Sequence, residues 1–372
     1  MCRSTIFYFA VFLFILSGCG SPLQLPPAAV SQDWALLPFV KIDRVNPVLQ
    51  PLPNLTFTDP ILQQPIKWAE KYVYNPAAVV RNGQVHLIFR AENQPTSAVA
   101  KTSRLGLATS TDGLHFQPQP EPIFYPANDS MKVYEWAGGV EDPRVVESED
   151  GRYVMTYTSY DGKVARLCVA TSRDLRTWQK HGLVLGSTKY RDTWGKSGAI
   201  VCKKTGDKMI AQRINGKYWM YWGDTDLFMA TSEDLIRWQA VEDMHGELLS
   251  VLQPRPGYFD SRLVESGPFA LLTERGILLL YNSMNAEKFQ DPQLPVGTYS
   301  AGQALFDKNN PTKLLQRTNE NFFKPDKPYE RVGQVNEVCF LEGLVWFNNK
   351  WYLYYGTADS KIAVAVCEKE ME

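Results

Sequence analysis

Five polar residues recur at comparable points of the chain, each at the opening of an apolar, strand-like run: Asn75, Asp142, Ser197, Glu265 and Glu337. Carboxylates set against apolar runs are costly unless a ligand or water satisfies them, so the shared phase points to one cleft for a polar small molecule. Competing chemistries lack their residues. His86, His115, His181 and His245 are scattered, which supports neither a His-based metal cluster nor a His-dependent triad. With no metal motif and no nucleotide-cradling glycine loop, neither a metal nor another cofactor is expected. Cys168, Cys202, Cys339 and Cys367 lie in apolar runs without Cys-x-x-Cys spacing and read as buried free thiols.

The elements that must position these residues repeat. Ala108-Thr109-Ser110-Thr111-Asp112, closing on Phe116, returns as Ala170 to Asp174 with Trp178 and as Ala230 to Asp234 with Trp238. Weaker echoes lie at Ala301 to Phe306 and Ala363 to Cys367. Tight-turn pairs keep the same phase: Asn82-Gly83, Asp150-Gly151, Asn215-Gly216, Arg275-Gly276 and Asn348-Asn349. Each precedes an aromatic or branched strand, and each follows another strand, beginning near Ala77, Val145, Ala199, Phe269 and Val338. A period of about sixty residues with four strands per repeat predicts an all-β, five-bladed β-propeller. Helical periodicity is confined to 61–71 and a brief stretch after Asp234, so a short helix or strap is expected ahead of the blades. In a propeller the first strand of each blade lines the central channel, which places the five polar residues around one funnel.

Composition agrees. Aromatic residues make up 12% of the chain, more than helical bundles usually carry and suited to strands or a sugar-stacking cleft. A formal charge of -1 argues against a nucleic-acid partner or a polybasic membrane surface. The N-terminus reads as an address: Arg3, an apolar run over 6–16 too short to span a bilayer, then Leu16-Ser17-Gly18-Cys19. This resembles a bacterial lipoprotein signal, which implies cleavage before Cys19, lipidation of its thiol and export. The expected organisation is a signal peptide over 1–18, a tether or strap over 19–58 and the propeller over 59–372. Any membrane contact is then through the lipid alone, on the periplasmic side or at the outer membrane of a Gram-negative cell.

From about residue 70 onwards, several segments carry a further resemblance: Asn75-Pro76-Ala77, Phe89-Arg90-Ala91, Gly139-Val140-Glu141-Asp142-Pro143-Arg144, Ser266-Gly267-Pro268 and Tyr354-Tyr355-Gly356-Thr357-Ala358-Asp359. Together they are similar to glycoside hydrolase family 130, whose members are five-bladed propellers acting on β-mannosides. The resemblance implies that Asp142 is the general acid, that Asn75, Arg90, Arg144 and Asp359 surround the mannosyl unit, and that the anomeric centre is inverted. Cleavage of a glycosidic bond needs a proton for the leaving oxygen and a nucleophile on the opposite face of the ring. Asp142 beside an Arg must therefore be desolvated, or offset by neighbours such as Glu141, to carry that proton.

Phosphate and water are the competing nucleophiles. The family's phosphorylases look as though they hold phosphate with an Arg after the third blade's second strand, a Lys before the Gly-Pro segment and a His after Leu-Leu-Tyr. Those places here read Gly223-Asp224, Leu263 and Asn282. Glu265 and Asp224 would each repel a phosphate about 4 Å away by several kcal/mol at an intermediate dielectric, whereas either could deprotonate a water. The sequence therefore reads as an inverting, exo-acting β-mannosidase with Glu265 as base and Asp224 as helper or competitor. Ser197, Asn282 and Glu337 join the substrate contacts, and β-1,2 linkages are favoured over β-1,4. Inversion predicts roughly 6.5–9.5 Å between acid and base carboxyls. The alternatives are a β-mannoside phosphorylase, using Lys196 or Arg262 as its cation, and a glycan-binding lipoprotein without catalysis.

Overall fold

A computed structural model describes residues 33–371. The expected signal peptide, Cys19 and the first part of the tether lie outside the described residues.

The described chain is all-β, built from five successive antiparallel meanders. The first comprises Tyr72–Arg81, Gln84–Glu92, Ser103–Ser110 and Gln117–Pro118. The second comprises Gly139–Glu147, Tyr153–Tyr160, Ala165–Ser172 and Trp178–Leu183. The third begins at Ala199–Thr205 and runs through Lys217–Trp222 and Phe228–Ser232 to Trp238–Ala240. The fourth begins with two short pieces, Leu263–Ser266 and Ala270–Thr273, and continues through Gly276–Met284 and Tyr299–Phe306 to Leu314–Arg317. The fifth comprises Cys339–Phe347, Lys350–Thr357 and Lys361–Cys367. First strands of meanders one to four neighbour one another in succession, and Cys339–Phe347 lies against Gly276–Met284 and Tyr299–Phe306 of the fourth and returns to Tyr72–Arg81 of the first, a propeller-like arrangement.

Local chemistry explains the repeat. Asn82-Gly83, Asn215-Gly216 and Asn348-Asn349 place two consecutive residues at positive φ, as the tight hairpin turn matching strand twist requires. In the Ala-Thr-Ser-x-Asp segments, the hydroxyls of Ser110, Ser172 and Ser232 accept from the amides of Gly113, Leu175 and Leu235, each at 2.9 Å. The following Asp carboxylates accept from two further amides, for example Asp174 from Arg176 and Thr177 at 2.8 and 2.7 Å. The repeat is thus a side-chain-stabilised turn between third and fourth strands.

Several sequence expectations change. The first strands of meanders one, two and four start earlier than predicted, because bulges at Asn75-Pro76 and Asp142-Pro143 let the chain continue past prolines that read as boundaries, and Gly267-Pro268 splits the fourth. No helix occupies 61–71. Pro60 and Pro65 lie within a hairpin of Phe57–Asp59 with Gln64–Ile66, turned at Gln63 with φ 58°, and this hairpin straddles the expected boundary at residue 58. The segment after Asp234 is the Ser-Asp turn already described. Val40–Lys41 adds the fourth strand of the fifth meander, opposite Val366 and Ala365, and Lys41 reaches Glu330 at 2.7 Å and Asp326 at 2.6 Å. The four cysteines are free and buried, as expected.

Candidate active site

Asn75, Asp142, Ser197 and Glu337 all adopt positive φ, at 45°, 48°, 59° and 57°. Such backbone costs about 1–3 kcal/mol per non-glycine residue and concentrates at functional sites. Glu265 reaches the same region from within Leu263–Ser266 without that strain.

Around Asp142 the contacts converge. Its Oδ1 accepts from Asn75 Nδ2 at 3.0 Å and from Arg90 Nη1 at 3.1 Å, and its Oδ2 lies 3.5 Å from Lys196 Nζ. Arg90 is itself fixed. It donates to Glu92 at 2.9 Å, Glu141 at 2.8 Å and Ser103 Oγ at 3.0 Å, and its guanidinium stacks on Tyr74. Ser197 Oγ donates to the buried Glu265 carboxylate. Lys196 completes the cluster, interacting with Glu265, Asp142, Glu141 and Asp224.

Arg144 sits beneath this layer. Its Nε and Nη2 donate to the carbonyls of Gly267 and Ser266 at 2.6 and 2.7 Å, Nη1 donates to the Asp142 carbonyl at 3.1 Å, and Nη2 pairs with Glu342 at 3.1 Å. All three nitrogens are engaged within the protein, so Arg144 ties meanders two, four and five together and positions Asp142 rather than facing a sugar. Asn282 is likewise occupied: its amide donates to and accepts from the backbone of Leu341, at 3.0 and 2.7 Å. Glu337 pairs with Arg331 at 3.3 Å, outside the Asp142 cluster. Asp224 stands at the rim, accepting from Trp194 Nε1 at 2.6 Å.

Gly356 shows how tightly the site is held. A Cβ there would lie 2.1 Å from Asn75 Oδ1. Gly356→Ala should therefore displace the amide that holds Asp142, lowering kcat/KM roughly 100-fold. Steady-state kinetics beside a thermal melt would check this; an unchanged rate would mean that Asn75 does not set the geometry.

Electrostatics divides the acids. Burial pushes the Asp142 carboxyl up, but Arg90, Lys196 and the Asn75 hydrogen bond outweigh it and hold the group well below the usual carboxylate range. Glu141 moves the other way, raised by burial despite Arg90, with Asp142 adding to the rise. Burial also raises Glu265, opposed by Lys196 and assisted by Asp224. Asp359, half-buried, is pushed up to about 7 by desolvation, with Arg90 opposing and Asp142 reinforcing. Glu342 is raised well above the ordinary value by burial, against the pull of Arg144. The site therefore sets Asp142, held low, beside carboxyls that retain protons more readily. This differs from the expectation that Asp142 itself carries a proton near neutral pH, because two cations and an amide outweigh its burial.

Sequence reasoning missed four contributors. Glu92 and Ser103 fix Arg90; Glu342 lies at a bulge of Cys339–Phe347, where an acid within an apolar run was a visible signal. Tyr299, raised to about 12 by burial and by Glu265, opens a third strand and carried no distinguishing mark.

The model of a family described as beta-1,4-mannooligosaccharide phosphorylase matches residues 43–371. A 1,2-beta-oligomannan phosphorylase from Thermoanaerobacter sp. (strain X514) is 31% identical over 308 residues, 81% of this chain and 92% of that protein. Among solved structures, a glycosyl hydrolase from Bacteroides ovatus is 46% identical with a TM-score of 0.87, covering 90% of this chain and 94% of that one. Another, 43% identical with a TM-score of 0.88 over 91% of this chain and 95% of that one, is described with the words that the GH130 family of mannoside phosphorylases contains glycoside hydrolases that target beta-1,2 mannosidic linkages in Candida mannan.

Proposed function

Because the chain belongs to glycoside hydrolase family 130, we propose that it is an inverting, exo-acting β-mannosidase that uses water, with β-1,2-linked mannosides favoured over β-1,4. On this reading the five meanders are the blades of a five-bladed propeller, and the polar residues of their first strands line its funnel. Export and lipidation at Cys19 belong to the same proposal.

The observation that carries it is the buried Glu265 carboxylate, oriented by Ser197 and facing the Lys196 ammonium that also contacts Asp142. In the proposed reaction Asp142 donates a proton to the glycosidic oxygen, directly or through a mannosyl hydroxyl, as the C1–O bond breaks. Glu265 removes a proton from the water that attacks C1 on the opposite face. Mannose leaves with inverted configuration, and the two carboxyls then exchange protons with solvent. Because Arg90, Lys196 and Asn75 hold the Asp142 carboxyl low, the cluster must supply its proton once substrate is bound; Glu141 and Asp359, both raised by burial, are neighbours placed to pass one on.

Phosphorolysis is the second reading, favoured by Lys196 within the cluster and by Arg262, which is exposed and forms no ion pair among the described residues. The two separate cleanly in one experiment. Incubation with β-1,2- and β-1,4-mannobiose, with and without phosphate, should release mannose at a rate independent of phosphate. A rate proportional to phosphate with mannose 1-phosphate as product would overturn the hydrolytic reading.

A further inference from the structure

Four aromatic side chains near the cleft could offer a face to a sugar: Tyr134, Trp136, Trp194 and Trp222. The structure separates them. Trp222 is 1% exposed and packs on Phe228, so it belongs to the core. Tyr134 is covered by the guanidinium groups of Arg166 and Arg191. Trp136 is half-buried. Trp194 is 48% exposed and also held in place: its indole N–H donates to Asp224, and its ring meets Tyr160 edge-on at 6.4 Å.

The backbone around it ties this ring to the reacting groups. Gly223 N donates to Lys196 O at 2.9 Å, locking the segment that carries Trp194 to the turn that carries Asp224. Lys196, two residues from Trp194, contacts Asp142. A large ring, fixed at its polar edge, about half exposed and two residues from the lysine that contacts Asp142, suits the apolar C–H face of a hexose.

We infer that Trp194 is the platform for the sugar that leaves, so that the substrate is a β-mannoside with at least one further hexose on its reducing side. The inference rests on the proposed glycosidase reading and names the residue that selects the leaving group. Asp224 serves here as the anchor of the indole.

The test compares wild type with Trp194→Ala and Trp194→Phe. KM and kcat are measured on β-1,2-mannobiose, with mannose as an inhibitor that reaches the non-reducing-end position. Trp194→Ala should raise KM about tenfold, the scale expected for losing one stacked aromatic face, and leave mannose inhibition within about twofold. Trp194→Phe, which keeps a ring but loses the bond to Asp224, should fall between the two. An unchanged KM in Trp194→Ala, or a parallel loss of mannose inhibition, overturns the platform. If wild type turns over neither mannobiose, with or without phosphate, the glycosidase reading fails, and calorimetric affinity for β-1,2-mannobiose decides the platform separately. Weaker binding by Trp194→Ala then supports it; equal affinities, or no binding by wild type, overturn it.

Discussion

Asp142→Asn is expected to lower kcat/KM on mannobiose by about 1,000-fold, within the range that a lost general acid produces. Asparagine keeps the size of the side chain and one carbonyl oxygen to accept from Asn75 and Arg90. Arg90 retains Glu92 and Glu141 as partners, so the fold should persist with a nearly unchanged Tm. What disappears is the proton for the leaving oxygen. A dinitrophenyl mannoside, whose leaving group departs as a stable anion, should therefore recover much of the lost rate. Equal losses on both substrates would place Asp142 in binding rather than proton transfer. The wild-type pH profile carries a linked signature. Burial pushes Asp359, which interacts with Asp142, up to about 7. If the Asp359 proton supports the acid, kcat/KM is full below that value and falls as pH rises through it, and Asp359→Asn should alter or remove that limb.

Much of this arrangement was legible because it repeats. The tight-turn pairs and Ser-Asp turns are local: each is set by residues within a few positions, so spacing alone reveals the five meanders. The phase of Asn75, Asp142, Ser197 and Glu265 was visible for the same reason, and these four converge. Pairing across the whole chain was not legible. Val40–Lys41 joins Val366 and Ala365 through backbone hydrogen bonds that leave no sequence pattern in two residues. Side-chain destinations were equally hidden. Asn282 and Arg144 have the composition of sugar ligands, yet the first satisfies Leu341 and the second the Ser266-Gly267 carbonyls, because first strands crowd together there and their backbone groups need partners. Arg90 and Lys196 together hold Asp142 low, and the approach of Lys196 is a property of the third meander's entry loop.

Glu265→Gln should cost about as much as Asp142→Asn, but by a different route. The amide preserves shape and can still meet Ser197, while losing the ability to take a proton from water, so kcat should fall about 1,000-fold with little change in KM. Burial raises this carboxyl above its ordinary range. As a base it must be ionised, so wild-type activity should rise with pH through that elevated value, and the acid limb should vanish in the variant. Azide, a nucleophile that needs no base, should restore turnover by forming the inverted mannosyl azide. The same variant addresses the choice of nucleophile. A carboxylate about 4 Å from a phosphate opposes it by about 4 kcal/mol per pair of unit charges at an effective dielectric near 20. If phosphate were the natural attacker, removing the charge of Glu265 should tighten phosphate and accelerate phosphorolysis. If water is the attacker, the variant stays slow at every phosphate concentration and responds only to azide. The sign of the phosphate response therefore separates a residue that activates the nucleophile from one that merely stands beside it.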